Sequence, residues 1–296
     1  MVPRSKPVAL TGHSCNRHAG LAERIDIPIY RADRAFALLG EIRCAKGSLF
    51  AQPREYEESA VHLLHGKAKY TSGVYAVSFD SRVEDVRRRI ASACERSGRS
   101  PKEITLVAVT KGVAPEAIRE AVDAGVRHLG ENRVQDAKEK QNVLGDLHGL
   151  VTWHMVGHLQ TNKVKLAVDL FAIIHSVDSF HLAEAISKRS SARRPIFLEV
   201  NVSEEPSKYG FTPDELPGRH SAIARLPGID VRGLMTVAPQ TANVEEVRPH
   251  FRRLREAAER LALRELSMGM SNDFEVAVEE GATHLRIGRA IFGERL

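Results

Sequence analysis

The sequence predicts a single (β/α)8 barrel of the TIM type over residues 76–296, preceded by a poorly structured N-terminal extension. Three observations carry this reading: eight short apolar runs separated by amphipathic helices, a lysine at the end of the first run, and glycine-bearing motifs at the ends of the last two. The runs are Ile104–Val109, Val126–Leu129, Thr152–Val156, Phe171–His175, Ile196–Val202, Asp230–Thr236, Glu265–Met268 and His284–Ile287. Eight β–α units in succession are the pattern of a closed parallel barrel, although a doubly wound open sheet of eight strands reads similarly.

The intervening segments have helical start and stop chemistry. Ser81 and Glu84 have the spacing of a capping box, and Val83, Val86, Ile90 and Cys94 then recur along one helical face. Pro115 suits a first turn with Gly125 beyond the end, and Thr161 and Ser179 each stand before a further helix. Asn243 and Glu246 open the longest helix, where Val244, Val247, Phe251, Leu254, Ala258 and Leu261 form the stripe of a helix laid on a sheet. The run Lys188, Arg189, Arg193, Arg194 reads as the solvated end of a helix.

Residues 1–75 have a different texture: Pro, Gly, His and Arg interrupt the apolar runs, and no period persists. They are expected to be disordered, or an over-extended reading frame whose true start lies near Val74 or Val77. They hold eleven Lys/Arg against seven Asp/Glu, most of the net charge of +5. The remainder is nearly balanced, which leaves the main body without the basic excess that nucleic-acid binding needs. No stretch approaches the roughly 18 apolar residues of a spanning helix, and the first thirty residues lack the apolar core of a secretory signal, so a cytoplasmic protein without membrane attachment is expected. Cys15, Cys44 and Cys94 are too far apart for metal-ligand or redox-pair spacing and read as free thiols.

A barrel carries its functional groups at the C-terminal ends of its strands, often with a phosphate site after strands seven and eight. Lys111 follows Val109 and Thr110. It is either a solvated strand end or an amine whose pKa, lowered by partial burial, lets it attack a carbonyl. Strand seven runs into Ser267-Met268-Gly269-Met270-Ser271-Asn272-Asp273, where Gly269 permits close backbone approach and Ser271 to Asp273 can open a helix whose unpaired N–H groups suit a phosphate. Strand eight ends in Arg286-Ile287-Gly288-Arg289. Arg286 alternates with Leu285 and Ile287 and should point into the barrel, where a guanidinium needs an anion or an internal partner such as Glu199. Taken singly, Ser271 reads as a cap and Gly288 as a turn. Together with Lys111 they describe a site for a phosphate and an imine.

The stretches Val107-Ala108-Val109-Thr110-Lys111, Gly130 to Gln135, Trp153 to Lys163, Gly233 to Pro239, Leu266 to Asp273 and Arg286-Ile287-Gly288 closely resemble the pyridoxal phosphate homeostasis protein family, also called the proline synthase co-transcribed family. The resemblance runs from about Ser81 onward. It implies a fold like the barrel domain of alanine racemase and pyridoxal 5′-phosphate (PLP) held as a Schiff base on Lys111. It places Ser271 and Gly288 at the phosphate, Arg286 at the pyridine nitrogen, and Asn132 and His154 near the cofactor, with no metal. It implies a carrier or regulator of vitamin B6 supply, without robust turnover; a monomer with PLP-dependent apoenzymes as recipients is the accompanying expectation. Alanine racemase draws a second base from a β-rich domain of a partner subunit, whereas here Leu296 follows Gly288 by eight residues. An arginine at the pyridine nitrogen would further weaken the electron sink. Gly112 and Arg133 depart from the family's usual residues beside the site. A PLP-dependent amino-acid racemase and a Schiff-base aldolase acting on phosphosugars are the alternative readings.

Overall fold

The computed structural model describes residues 79–205 and 208–294. The expectations for residues 1–75, including Cys15 and Cys44, lie outside the described residues. Eight parallel strands close into one barrel in chain order: β1 (Thr105–Val109), β2 (His128–Glu131), β3 (Thr152–Met155), β4 (Ile173–Val177), β5 (Arg194–Glu199), β6 (Ile229–Met235), β7 (Glu265–Ser267) and β8 (His284–Ile287). The pairing of β1 with β8, Val107 beside Arg286, seals the cylinder and settles the choice between closed barrel and open sheet. Helices α2 (Pro115–Asp123), α3 (Val134–Val143), α4 (Val164–Leu170), α5 (Phe180–Arg189), α6 (Leu216–Ala224), α7 (Arg248–Arg260) and α8 (Phe274–Glu279) follow the first seven strands, and the short α9 (Arg289–Phe292) follows β8. A helix ahead of β1, α1 (Phe79–Arg96), lies against α8: Arg89 pairs with Glu275 at 3.1 Å and sits 4.5 Å over the Phe274 ring, and Arg96 pairs with Glu279 at 2.7 Å. Among the described residues no helix is long and apolar enough to cross a membrane.

Strand alternation divides the barrel wall into two chemistries. Ala108, Leu129, Trp153, Ile174, Leu198, Leu234, Leu266, Leu285 and Ile287 join the helices in one apolar core. Inside, the fill is largely polar: His154, His175, Ser267 and Arg286 are buried and hydrogen-bonded in a connected set, with Phe197 stacked on His175 at 4.5 Å. Such a lumen is stable because its polar atoms have partners; each left unpaired would cost about 1–3 kcal/mol.

The helix signals hold with local corrections. Ser179 accepts from the Leu182 amide at 3.3 Å, and Pro115 opens α2. Asn243 caps a 3-10 turn, Val244–Val247, that leads into α7, whose Phe251, Leu254 and Ala258 are buried as the stripe requires. The first helix runs from Phe79, whose ring packs on Phe292, so Ser81 lies inside the first turn and not at the cap. A capping box forms instead at Ser100 and Glu103. β2 begins two residues later than the apolar run suggests because Gly125, at φ 85°, turns the chain and the Val126 amide closes α2 on the Ala121 carbonyl. Thr161 opens a 3-10 turn, Thr161–Lys163, before α4. The basic run is divided: Lys188 and Arg189 end α5, but Arg193 and Arg194 staple backbone carbonyls, Arg194 donating to Phe171 and Val168 at 2.7 Å each.

Candidate functional site

The C-terminal rim of the barrel opens into a cavity of about 730 Å³, within the usual range for small-ligand sites. Lys111, Asn132, Ser271, Arg286 and Gly288 all line it. Lys111 enters from the turn after β1, where Gly112 takes φ 68°, a conformation suited to glycine. Asn132 follows β2, and its amide donates to the Glu131 carboxylate at 3.2 Å.

The motif after β7 folds tightly because Gly269, at φ 92°, lies so close to α8 that an added Cβ would meet the Ala277 Cβ at 2.6 Å. Ser271 and Asn272 follow in the same turn, beside Gly288 and Arg289. The Ser271 hydroxyl accepts from the Ala290 amide at 3.3 Å, and Arg289 donates to Asn272 at 3.0 Å, so the motifs after β7 and β8 are bonded to each other. The Asp273 carboxylate accepts from the Met270 amide and is pushed up by burial, partly offset by that bond and by Arg286.

Arg286 points into the barrel, as alternation requires, but its partners are not Glu199. Its guanidinium donates to the Ser267 carbonyl and hydroxyl, both at 2.7 Å, and to the Thr236 carbonyl at 2.8 Å. Three of the five N–H groups of a guanidinium are thus held by the protein, and the group borders the cavity. Burial lowers its pKa to about 10, opposed by the charges of Glu199 and Asp273, so it stays cationic at neutral pH. Glu199 is itself raised to about 7, chiefly by burial and then by Asp178, with Arg286 opposing.

His154 is not brought to the cavity wall. It is fully buried in the lumen, with Nε2 at 3.0 Å from His128 Nδ1 and Nδ1 at 2.9 Å from His175 Nε2. Residues missed by sequence reasoning lie just behind the site. Glu131 is buried at the end of β2, accepts from the Thr110 hydroxyl at 2.7 Å, and is paired with Lys140 of α3. The Lys140 ammonium also donates to the Thr110 carbonyl, immediately before Lys111. The available signal was a lysine nine residues after a glutamate at a strand end, which does not stand out among surface charges.

An amine, a guanidinium and a hydroxyl beside two backbone turns form a donor set for an anionic ligand that bears a carbonyl. Fold and cavity together define a barrel of the alanine racemase type: the alanine racemase N-terminal domain model matches residues 83–296. The pyridoxal phosphate homeostasis protein of Aquifex aeolicus is 45% identical over 223 residues, covering 72% of this chain and 97% of that protein. The protein of the same name from Pseudomonas aeruginosa is 42% identical, covering 72% and 94%. The structure of PipY from Synechococcus elongatus, solved with PLP bound, is 40% identical at a TM-score of 0.62 and covers 70% of this chain and all of that one. Alanine racemase from Corynebacterium glutamicum, 17% identical at a TM-score of 0.54 with 72% and 61% covered, shares the fold. The chain belongs to the pyridoxal phosphate homeostasis protein family.

Proposed function

We propose that this chain binds PLP in the rim cavity, with Lys111 capturing its aldehyde carbon, and that it acts in the cytoplasm as a carrier or regulator of the vitamin, not as an enzyme. The observation that carries the reading is the convergence of Lys111, Ser271, Arg286 and Gly288, from the ends of β1, β7 and β8, on one cavity. When bound, PLP supplies an aldehyde for amines and a ring that can act as an electron sink. Lys111 supplies the amine, Ser271 and the Gly288 turn hold the phosphate, Arg286 donates to the ring nitrogen, and Asn132 completes the wall. The residues fit the group in charge as well: Arg286 is cationic at neutral pH beside the anionic ligand. A guanidinium has donors only, so at the ring nitrogen it disfavours protonation and weakens the sink, which supports a holding role over turnover. His154 acts from the lumen and not by contact. The proposed recipients are PLP-dependent apoenzymes, and the proposed working form is a monomer.

Titration of the purified full chain with PLP, followed by absorbance and by assay of D- and L-amino acids, tests this. The expected result is a stoichiometric visible band that borohydride abolishes, with turnover far below about 1 per second, the low end of ordinary enzyme rates. A chain that stays colourless with PLP would overturn the binding. Turnover at enzyme rates would overturn the carrier reading in favour of a racemase.

A further inference from the structure

A single line of hydrogen bonds crosses the lumen beneath the cavity. It begins at Arg286 on β8, which donates to the Ser267 hydroxyl on β7 at 2.7 Å. Ser267 Oγ lies 2.8 Å from His175 Nδ1 on β4, His175 Nε2 lies 2.9 Å from His154 Nδ1 on β3, and His154 Nε2 lies 3.0 Å from His128 Nδ1 on β2. Arg286, Ser267, His175 and His154 are all buried, and Phe197 stacks on the His175 ring.

The donor inventory gives this line a direction. A guanidinium can only donate, so Ser267 Oγ accepts from Arg286 and has one proton to give. Among the described residues the only other partner of that hydroxyl is His175 Nδ1, 2.8 Å away, so the proton has no other acceptor there; His175 Nδ1 then accepts and its ring proton stands on Nε2. That proton points at His154 Nδ1, so His154 in turn carries its proton on Nε2 and gives it to His128 Nδ1. A second proton on His154 would set two donors against each other, and one on His175 would leave the Ser267 hydroxyl proton without an acceptor among the described residues. Burial acts in the same sense: His154 and His175 are both pushed well below the ordinary histidine range, by desolvation first and then by neighbouring histidines. The fourth lumen histidine, His284, stands beside the line, its ring 5.7 Å from that of His175, and bonds Thr283 instead.

We infer that Ser267, His175 and His154 are positioning residues for Arg286: a one-way line of hydrogen bonds, polarised by the guanidinium, that fixes how Arg286 presents its remaining N–H groups to the cavity. Its effect on ligand affinity rests on the PLP reading above; the tautomers are a property of the chain alone.

Ring 1H–15N correlations of the labelled full chain without PLP, for the unaltered protein and for Ser267→Ala, test the line, with PLP affinity measured on both. The expected spectra show His154 and His175 neutral with the proton on Nε2. In Ser267→Ala a population with the proton on Nδ1 appears at His175, and PLP affinity falls about tenfold, the scale of one hydrogen bond to a charged group. His175→Gln, which keeps a donor and an acceptor, retains more affinity than His175→Leu. An imidazolium or an Nδ1–H tautomer at either central histidine of the unaltered chain overturns the inference, as do unchanged tautomers or unchanged affinity in Ser267→Ala. If the unaltered chain binds no PLP, the cavity reading fails and the tautomers alone decide the line, as they also do if Ser267→Ala does not fold.

Discussion

Lys140 donates to the carbonyl oxygen of Thr110, the peptide group that leads into Lys111, and to the buried carboxylate of Glu131. One ammonium on α3 therefore ties together the ends of β1 and β2, the two strands that carry Lys111 and Asn132 to the cavity. Glu131 also accepts from the Thr110 hydroxyl and from the Asn132 amide. The carboxylate is thus the common anchor of the rim.

Removing the cation strands a buried charge. Lys140→Met is expected to destabilise the fold by about 3 kcal/mol, because an unpaired buried carboxylate loses its partner's attraction while still bearing the desolvation cost. Glu131→Gln in the same background, which deletes the stranded charge, should recover part of that loss. Urea unfolding of both single variants, the double variant and the unaltered chain measures this, and additive losses would count against the pairing.

Ser271→Ala removes a hydroxyl at the junction of the β7 and β8 motifs. It should weaken PLP binding by about 1–3 kcal/mol, the range for a hydrogen bond to a charged group. Binding of pyridoxal, which lacks the phosphate, should be unaffected. Equal losses for both ligands would move the phosphate site elsewhere.

The lumen histidines make the fold sensitive to acid. His284 falls from 6.5 to about 4, mainly through burial, and His154 and His175 are also depressed. Below pH 6.5 the unfolded chain takes up protons that the folded one refuses, so stability is lost as pH falls from 6.5 toward 4, by about 3 kcal/mol for His284 alone. Glu199 works in the opposite sense. Raised from 4.5 to about 7, it keeps its proton in the fold while the unfolded carboxyl ionises, so its stabilising contribution is lost as pH rises through that window. Glu199→Gln should therefore steepen the acid loss and raise stability near pH 8. Melting temperatures from pH 4.5 to 8 would show this, and parallel curves for the two proteins would refute it.

A chain beginning at Val77 is expected to melt cooperatively and bind PLP as the full chain does, since all eight strands and all the cavity-lining residues named above lie downstream. Side-by-side melting and PLP titration check this. Aggregation of the short form, or a melting point many degrees lower, would show that residues 1–75 support the barrel.

What the sequence made legible was mostly local. Ser179 as a cap, Gly125 as a helix stop, Phe251 and Leu254 as a buried face, and the inward turn of Arg286 each follow from spacing within one element. What it hid was assembled across strands. His128, His154 and His175 lie on three strands, and each alone reads as an ordinary histidine in an apolar run; only closure of the barrel sets them in line with Ser267. The same holds for Glu131 with Lys140, and for Arg286, whose partner could be guessed as Glu199 by charge but is in fact a serine and two backbone carbonyls. Arg193 and Arg194 show the limit from the other side: their charge suggested solvent, and Arg193 is indeed exposed, but their length lets both reach backbone carbonyls, those of Ile229 and of Phe171 and Val168.

In the proposed function Lys111 is the amine that captures PLP. Borohydride reduction of the PLP-loaded full chain, followed by peptide mass mapping, tests it most directly. One pyridoxyl group per chain is expected, on the peptide containing Lys111, and its loss in Lys111→Ala without a fall of more than about 1 kcal/mol in stability. A full-stoichiometry label on another lysine, Lys140 being the nearby alternative, or a label that persists in Lys111→Ala, would contradict it.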